Sequence, residues 1–415
     1  MKIGILTQWF DPEPGPPSLP GELARALVDR GHQVQVVTGF PNYPDGNVST
    51  GYEIQRVRDE VSLGVRIRRV ALYPSHGRSI TGRLANYGSF GLSARAFGIS
   101  EFYDCDAVWV YYSPVTVGFP LLPLRRKQVP IVLHVMDLWP DNIVSSGMLA
   151  PGRLASATES AVHAWNRRMY GLASRVLTIS PGASALLESR GVLTEKLAYV
   201  PLWANESVFR PTDGTALRKE MGVSPSTVII MYAGTLGGTQ RVDRLIEAVA
   251  SATRSGADVA CWIAGNGTAE EALRRQAEQT GLGHERLRFL GRIPMTLMPD
   301  YMAAADIHFV GLQDDALARV TMPSKVQATL ASGKPILGSV HGDVDELLRR
   351  TNTGISATER GLPAAMDTLA RMGRAGLAEM GERARTTYDN EFSLRSGVTA
   401  VEKQLTLAIQ DGGRP

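Results

Sequence analysis

Lys325 opens a helical stretch in Met322-Pro323-Ser324-Lys325. Leu330-Ala331-Ser332-Gly333-Lys334-Pro335-Ile336-Leu337 then leads through a Gly-x-Pro turn into an apolar strand. A helix start offers unpaired backbone N–H groups and the positive end of the helix dipole. A lysine added there makes a site suited to a diphosphate, although a plain helix start with a solvated lysine has the same pattern. Three glycine-rich turns follow strands in the same half of the chain: Gly234 to Gly238, Gly265 to Gly267, and Gly333. Each lets backbone approach a ligand closely. With Lys325 they converge on a phosphate-bearing ligand. The run G-x-x-x-x-G-K-[ST] is absent, which excludes a P-loop ATPase, and G-x-G-x-x-G is absent from the first loop, which argues against a nicotinamide cofactor.

These residues need strands and helices to hold them. Lys2 to Thr7 reads as a buried strand, followed by the proline-rich loop Asp11-Pro12-Glu13-Pro14-Gly15-Pro16-Pro17. A helix pattern runs through Leu19, Leu23, Ala26 and Leu27, and Val34 to Thr38 reads as the next strand. Strand, loop, helix, strand at this spacing is a βαβ unit, so a parallel sheet is expected, with ligands at its carboxyl edge. Further strands are expected at 107–112, 131–135 and 175–179. Phe209 to Gly214 reads as a linker, after which the pattern restarts at Val228 to Ala233 and continues through 259–264, 287–291, 307–310 and 335–338. The expectation is an α/β chain of two doubly wound domains, over 1–205 and 206–391, with a helical tail over 392–415 that could pack back on the first domain.

Length and composition agree with that division. The chain has 415 residues, 44% hydrophobic and 20% charged, which is globular composition with room for two domains. No apolar run reaches the ~20 residues of a membrane span. The N-terminus lacks a signal-peptide core. Cys105 and Cys261 are far apart in sequence, so a cytoplasmic location is the plain reading. Residues 1–205 hold 20 Lys and Arg against 16 Asp and Glu, whereas the remainder holds 24 against 25. The excess lies in Arg66, Arg68, Arg69, Arg78, Arg83, Arg95, Arg125-Arg126-Lys127 and Arg167-Arg168. It is too modest for a nucleic-acid binder. Solvated arginines explain it, and so does a face turned toward anionic lipid.

The chain resembles the retaining GT-B glycosyltransferases of glycosyltransferase family 4, in the branch that builds exopolysaccharide and O-antigen (fucosamine-transferase and colanic-acid type). The matching pieces run in family order. They are Pro12-Glu13-x-Gly15, Gly31-His32-x-Val34, Gly39-Phe40-Pro41-Asn42-Tyr43-Pro44, Asp137-Leu138-Trp139-Pro140, Ala233-Gly234-x-Leu236-Gly237, Ala264-Gly265-Asn266-Gly267, Leu290-Gly291-Arg292-Ile293-Pro294, Ala303-Ala304-Ala305-Asp306 and Pro323-Ser324-Lys325. The resemblance implies a GT-B fold, two Rossmann-like domains facing each other across a cleft. It implies a nucleotide-diphospho-sugar donor on the second domain, an acceptor on the first, transfer with retention, and no metal or cofactor. Stabilising charge on the departing diphosphate would supply much of the catalysis.

Carried over by position, Lys325 matches the diphosphate contact, next to Ser324. Gly15 matches the first-loop glycine facing the phosphate or sugar. Gly234, Gly265 and Gly267 match donor-side turns, and Arg292 and Ile293 match the turn whose backbone meets the nucleobase. Asp137 matches the sugar-orienting or acid/base position; a helix N-cap acid ahead of Pro140 is the other reading. Thr235 and Gln240 stand where many members have arginine and lysine, and Arg241 follows as a replacement cation or a solvated one. Arg319 in the loop before Lys325, and His341 after Gly338, are candidate donor contacts. The family's paired glutamates are replaced by Val320 and Ala328. Losing a charged acceptor from a ribose hydroxyl costs about 1.5–3 kcal/mol. The enzyme therefore reads its nucleotide differently, as a dTDP-sugar would allow, or it is a non-catalytic nucleotide-sugar-binding partner of another transferase.

His134 and His32 read as structural, and His163 and Trp165 as packing. Ser79 to Phe102 reads either as an ordinary core-facing helix or as an amphipathic surface touching a membrane-bound acceptor. The expected function is sugar transfer in cell-envelope or exopolysaccharide assembly, in the cytoplasm or peripherally at the inner face of the membrane. A small natural-product acceptor is the alternative.

Overall fold

The computed structural model describes residues 1–13, 18–76, 79–141 and 152–412. The chain divides into two compact units, Met1–Pro201 with Gly397–Pro415, and Leu202–Ser396.

In the first unit, eight strands form one sheet among the described residues, in the order β3-β4-β2-β1-β5-β6-β7-β8. They are β1 (Lys2–Leu6), β2 (Gln33–Gly39), β3 (Val57–Ser62), β4 (Val65–Val70), β5 (Ala107–Tyr112), β6 (Ile131–Val135), β7 (Arg175–Thr178) and β8 (Leu197–Tyr199). β1 pairs in parallel with both β2 and β5, Ile3 facing Val34 and Ala107. Central strands are apolar throughout because helices cover both faces of such a sheet. The β3–β4 pair, antiparallel, escapes that rule: Val57–Ser62 is a polar edge, and its charges hide the strand period. Arg69 on β4 is buried nonetheless. Its guanidinium reaches Glu60 (2.7 Å), the Gly39 carbonyl (3.1 Å) and the Asp11 carbonyl (2.6 Å).

The last helix, Leu394–Asp411, buries Val398, Val401, Leu405 and Ala408. Its Glu402 accepts from Arg30 (2.7 Å) and pairs with His32 (2.6 Å), fixing the tail to the first unit.

The second unit holds a six-stranded sheet among the described residues, β11-β10-β9-β12-β13-β14. Its strands are β9 (Val228–Ala233), β10 (Val259–Ala264), β11 (Leu287–Gly291), β12 (Ile307–Gly311), β13 (Ile336–Ser339) and β14 (Gly354–Ser356). All its pairings are parallel. The helix Val242–Arg254 lays Leu245, Ile246 and Val249 on one face of this sheet, whereas Trp262, Met231 and Ala304 pack on the other. Asp306 ties the unit together by accepting from the Ile229 amide and from Arg218, both at 2.8 Å.

One expectation is corrected. The helix Ile80–Ser93 does not turn its apolar side to the core: it buries Asn86, Phe90 and Gly91 and leaves Leu84 63% and Leu92 60% exposed. Asn86 is inside because it bridges Gln8, the Asn42 side chain and the Tyr73 carbonyl.

Candidate functional site

The loops after β9, β10 and β11 lie at the carboxyl edge of the second sheet and bond to one another. The Gly234 amide donates to the Ala264 carbonyl (3.0 Å), Leu236 to Asn266 (2.9 Å), and Gly265 to Gly291 (2.7 Å). Contact at this range requires the missing side chains. A Cβ on Gly265 would stand 1.8 Å from the Gly234 carbonyl oxygen, and Gly265 adopts a φ of +127°, which L side chains avoid.

Lys325 is the first-turn side chain of the helix Ser324–Ala331. It lies against Gly234, where a Cβ would be 2.5 Å from the lysine Cε. Its ammonium sits 5.2 Å from the centre of the Tyr232 ring. The phenol of Tyr232 donates to the Thr235 carbonyl (2.6 Å), which locks the ring under the loop. Burial holds the lysine's pKa below its ordinary range, with no carboxylate among the causes. A half-buried cation on an aromatic face, with a helix N-terminus beside it, is arranged to receive an anion. Tyr232 escapes sequence reasoning because it sits within an otherwise apolar strand; its place just ahead of the glycine loop is the available signal.

The other candidates fall into groups. Gln240 ends the short turn after Gly237, and its amide donates to the Gly237 carbonyl (3.3 Å). Thr235 and Ser324 are exposed. Arg292 is exposed, whereas Ile293 is buried with Trp262 and Met231. That burial leaves the backbone of the turn, not the isoleucine side chain, for a ligand. Arg319 pairs with both oxygens of Asp314 (2.8 and 2.9 Å), and His341 stands 3.6 Å from the same carboxylate. Arg241 is in a different setting: its guanidinium bonds Asp243 (3.1 and 3.0 Å) and Glu359 (3.1 Å). Two carboxylates already neutralise it, so the structure does not present Arg241 as a replacement cation. Ala328 is buried on the Lys325 helix.

In the first unit, Asp137 follows β6 and accepts from the Ser113 hydroxyl (2.5 Å). Burial, and then the charge of Asp137, push up the phenol of Tyr111. Trp9 packs edge-on against Tyr87 and Tyr111, with ring centres 6.3 and 6.2 Å away. Asp137 thus stands beside an aromatic cluster drawn from the loop after β1, the helix Ile80–Ser93 and β5. No local pattern in the sequence connects those segments. Gly15 lies outside the described residues.

Glu13 belongs to a motif to which the sequence alone attaches no role. Its buried carboxylate accepts the amides of Phe10 (3.1 Å), Asn42 (2.8 Å) and Tyr43 (2.8 Å), joining the loop after β1 to the loop after β2. Burial raises its pKa, against the lowering pull of those N–H groups. His134 is a core residue that bonds the Val200 carbonyl (3.0 Å). Among the described residues no group of three or more His, Cys, Asp or Glu is placed to hold a metal. No helix among them is long and apolar enough to cross a membrane.

Comparison with known proteins supplies the class. Residues 19–203 match the glycosyl transferase 4-like domain, and residues 214–380 match the glycosyl transferases group 1 domain. The chain is 27% identical to the protein named as a colanic acid biosynthesis glycosyl transferase, WcaI, of Escherichia coli K12, over 80% of this chain and 82% of that one. It is 26% identical to the D-inositol 3-phosphate glycosyltransferase of Geodermatophilus obscurus, over 94% and 84%. The crystal structure of Anabaena HepE in complex with UDP superposes with a TM-score of 0.69 at 16% identity, covering 98% of this chain and 100% of that one. With both domains matched in chain order on two Rossmann-like units, this chain belongs to the GT-B glycosyltransferases of family 4 type.

Proposed function

We propose that this nucleotide-sugar-dependent glycosyltransferase builds a cell-envelope or exopolysaccharide glycan, with retention at the anomeric carbon. The observation that carries the donor side is Lys325, an ammonium set on Tyr232 and Gly234 at a helix start with no carboxylate contributing to its shifted pKa. In this reading Lys325 and the adjacent backbone amides bind the donor diphosphate. They hold it more tightly as the anomeric C–O bond breaks and charge gathers on the leaving phosphate. The glycine turns and the Arg292-Ile293 backbone take the nucleoside, and Arg319, His341, Thr235 and Gln240 face the sugar and phosphates. Asp137 orients the reacting sugars or takes the acceptor hydroxyl's proton, beside the Trp9, Tyr87 and Tyr111 rings. No resident metal or cofactor enters the scheme. The envelope acceptor is supported by the likeness to WcaI; with such an acceptor the enzyme would work in the cytoplasm, peripherally at the inner face of the membrane.

A second reading of the acceptor has its own support. The Geodermatophilus relative is named for a small phosphorylated polyol and matches 94% of this chain. Incubation with a panel of nucleotide sugars, first with membrane lipid extract and then with inositol phosphates, separates the two. Sugar incorporated into the lipid fraction supports the envelope reading; sugar on the soluble polyol overturns it. The anomeric proton coupling of the product tests retention. The donor panel includes dTDP- and UDP-sugars. If UDP binds far better than dTDP, Ala328 is not a sign of a deoxyribose nucleotide.

A further inference from the structure

Val228, Ile230 and Tyr232 alternate along β9 and join one core cluster, so the strand period alone sends Tyr232 inward. Its side chain is 0% exposed, and the ring of Phe309 on β12 lies 6.5 Å away, centre to centre. A phenylalanine would fill that core as well, so the phenol needs another explanation. It donates to the Thr235 carbonyl (2.6 Å), which ties the ring to the glycine loop that follows its own strand. A buried hydroxyl with its partner at this distance fixes both groups.

The same ring carries the lysine. The ammonium of Lys325 stands over it, 5.2 Å from its centre. A Cβ on Gly234 would be 2.5 Å from the lysine Cε and 2.9 Å from its Nζ, so the glycine leaves the space that the lysine occupies. Other cations of this unit are held differently. Arg241 pairs with Asp243 and Glu359, Arg319 with Asp314, and Arg218 with Asp306. Among the described residues no carboxylate pairs with Lys325. The difference matters for an anion site. A carboxylate cancels the charge it holds and competes with a phosphate for it. An aromatic face attracts the ammonium through its quadrupole and leaves the full charge for the ligand.

We infer that Tyr232 is a positioning residue of the donor site: its ring holds the Lys325 ammonium in place for the diphosphate, and its phenol fixes the 234–238 loop to the same ring. The inference rests on the reading of Lys325 as the diphosphate contact. It adds what keeps the lysine there, a ring in place of the counter-ion that a buried cation ordinarily requires.

The test is calorimetric titration of UDP, GDP and dTDP, each against its monophosphate, into the full chain and its variants. The wild type should prefer the diphosphate by at least about tenfold. Tyr232→Phe keeps the ring and should keep that preference within about twofold. A trifluorinated phenylalanine at the same position keeps nearly the same size and drains the ring's negative face. It should lower the preference about fivefold and leave the monophosphate affinity unchanged. Tyr232→Leu should lose the preference too, but it also opens a cavity, so the fluorinated ring decides. In the Lys325→Met background fluorination should change nothing more. Fluorination that leaves the preference intact, or that weakens both nucleotides alike, overturns the inference. So does a Tyr232→Phe chain that loses the preference, since the phenol alone would then carry the effect. Loss of preference in Lys325→Met with none on fluorination keeps the lysine contact and discards the role of the ring. A Lys325→Met chain that still prefers the diphosphate, or a wild type that prefers none of the three, overturns the reading of the lysine itself.

Discussion

The two units build their sites from different materials. In the second unit the candidate donor site is mostly backbone: glycine turns after β9, β10 and β11 that bond to one another, one lysine, and one aromatic ring beneath it. In the first unit the candidate acceptor side is mostly side chains. Trp9, Tyr87, Tyr111, Ser113 and Asp137 come from four separate segments, and the buried carboxylate of Glu13 ties two loops together. A backbone site tolerates little change, because a diphosphate is the same in every nucleotide sugar. A side-chain site can be rebuilt for a new acceptor without disturbing the sheet that carries it.

That contrast can be broken by substitution. The largest effect is expected from Lys325→Met. It should lower kcat/KM by about a thousandfold through loss of a preorganised cation. The same variant should melt at a higher temperature than the wild type without nucleotide. Burial lowers this lysine's pKa, so its charged form opposes folding at neutral pH. That cost disappears only as pH rises through the lowered value toward the ordinary lysine range. Melting curves with and without nucleotide, together with steady-state rates, check both halves.

Acid should show that the contrast lies in the sites and not in the scaffolds. Each unit buries one neutral histidine, His134 and His308, and burial lowers both from 6.5 to about 4. The unfolded chain takes up these protons near 6.5. The stability is therefore fully present above that pH and is lost as pH falls toward 4, by roughly 3 kcal/mol for each histidine. Denaturant midpoints between pH 7 and pH 4 should fall accordingly. Replacing either histidine with a neutral residue of similar volume should flatten the slope by about half.

Two smaller effects sharpen the first-unit side. Asp137→Asn should cost about a hundredfold in kcat and leave the nucleotide-induced melting shift unchanged, as expected if Lys325 and not Asp137 holds the donor phosphates. Glu13→Ala should cost about 2 kcal/mol of stability by leaving buried amides without an acceptor. It should also raise the KM for acceptor more than the KM for donor, as kinetics with each substrate varied would show.

The same contrast explains what can be read in the sequence. Strand, glycine turn and helix recur locally, so both sheets, Lys325 and the turns at Gly234 and Gly265 are legible from short windows. The β3–β4 pair is not, because Arg66, Arg68 and Arg69 mask the apolar alternation on which strand recognition depends. The tail helix gives only a loose address, a return to the first domain, since its contacts to Arg30 and His32 lie some 370 residues away in the chain. Arg241 looks available as a cation because its partners, Asp243 and Glu359, can be matched to it only in three dimensions. Burying a polar Asn86 and exposing Leu84 reverses the ordinary preference, which only tertiary hydrogen bonds could impose.

Calorimetric titration of a nucleoside diphosphate and its monophosphate, into the wild type and into Lys325→Met, tests the central claim most directly. The wild type should bind the diphosphate at least tenfold more tightly than the monophosphate, about 1.4 kcal/mol, and the variant should lose that difference. A variant that still prefers the diphosphate to the same degree would contradict the assignment of Lys325 as the donor's phosphate contact.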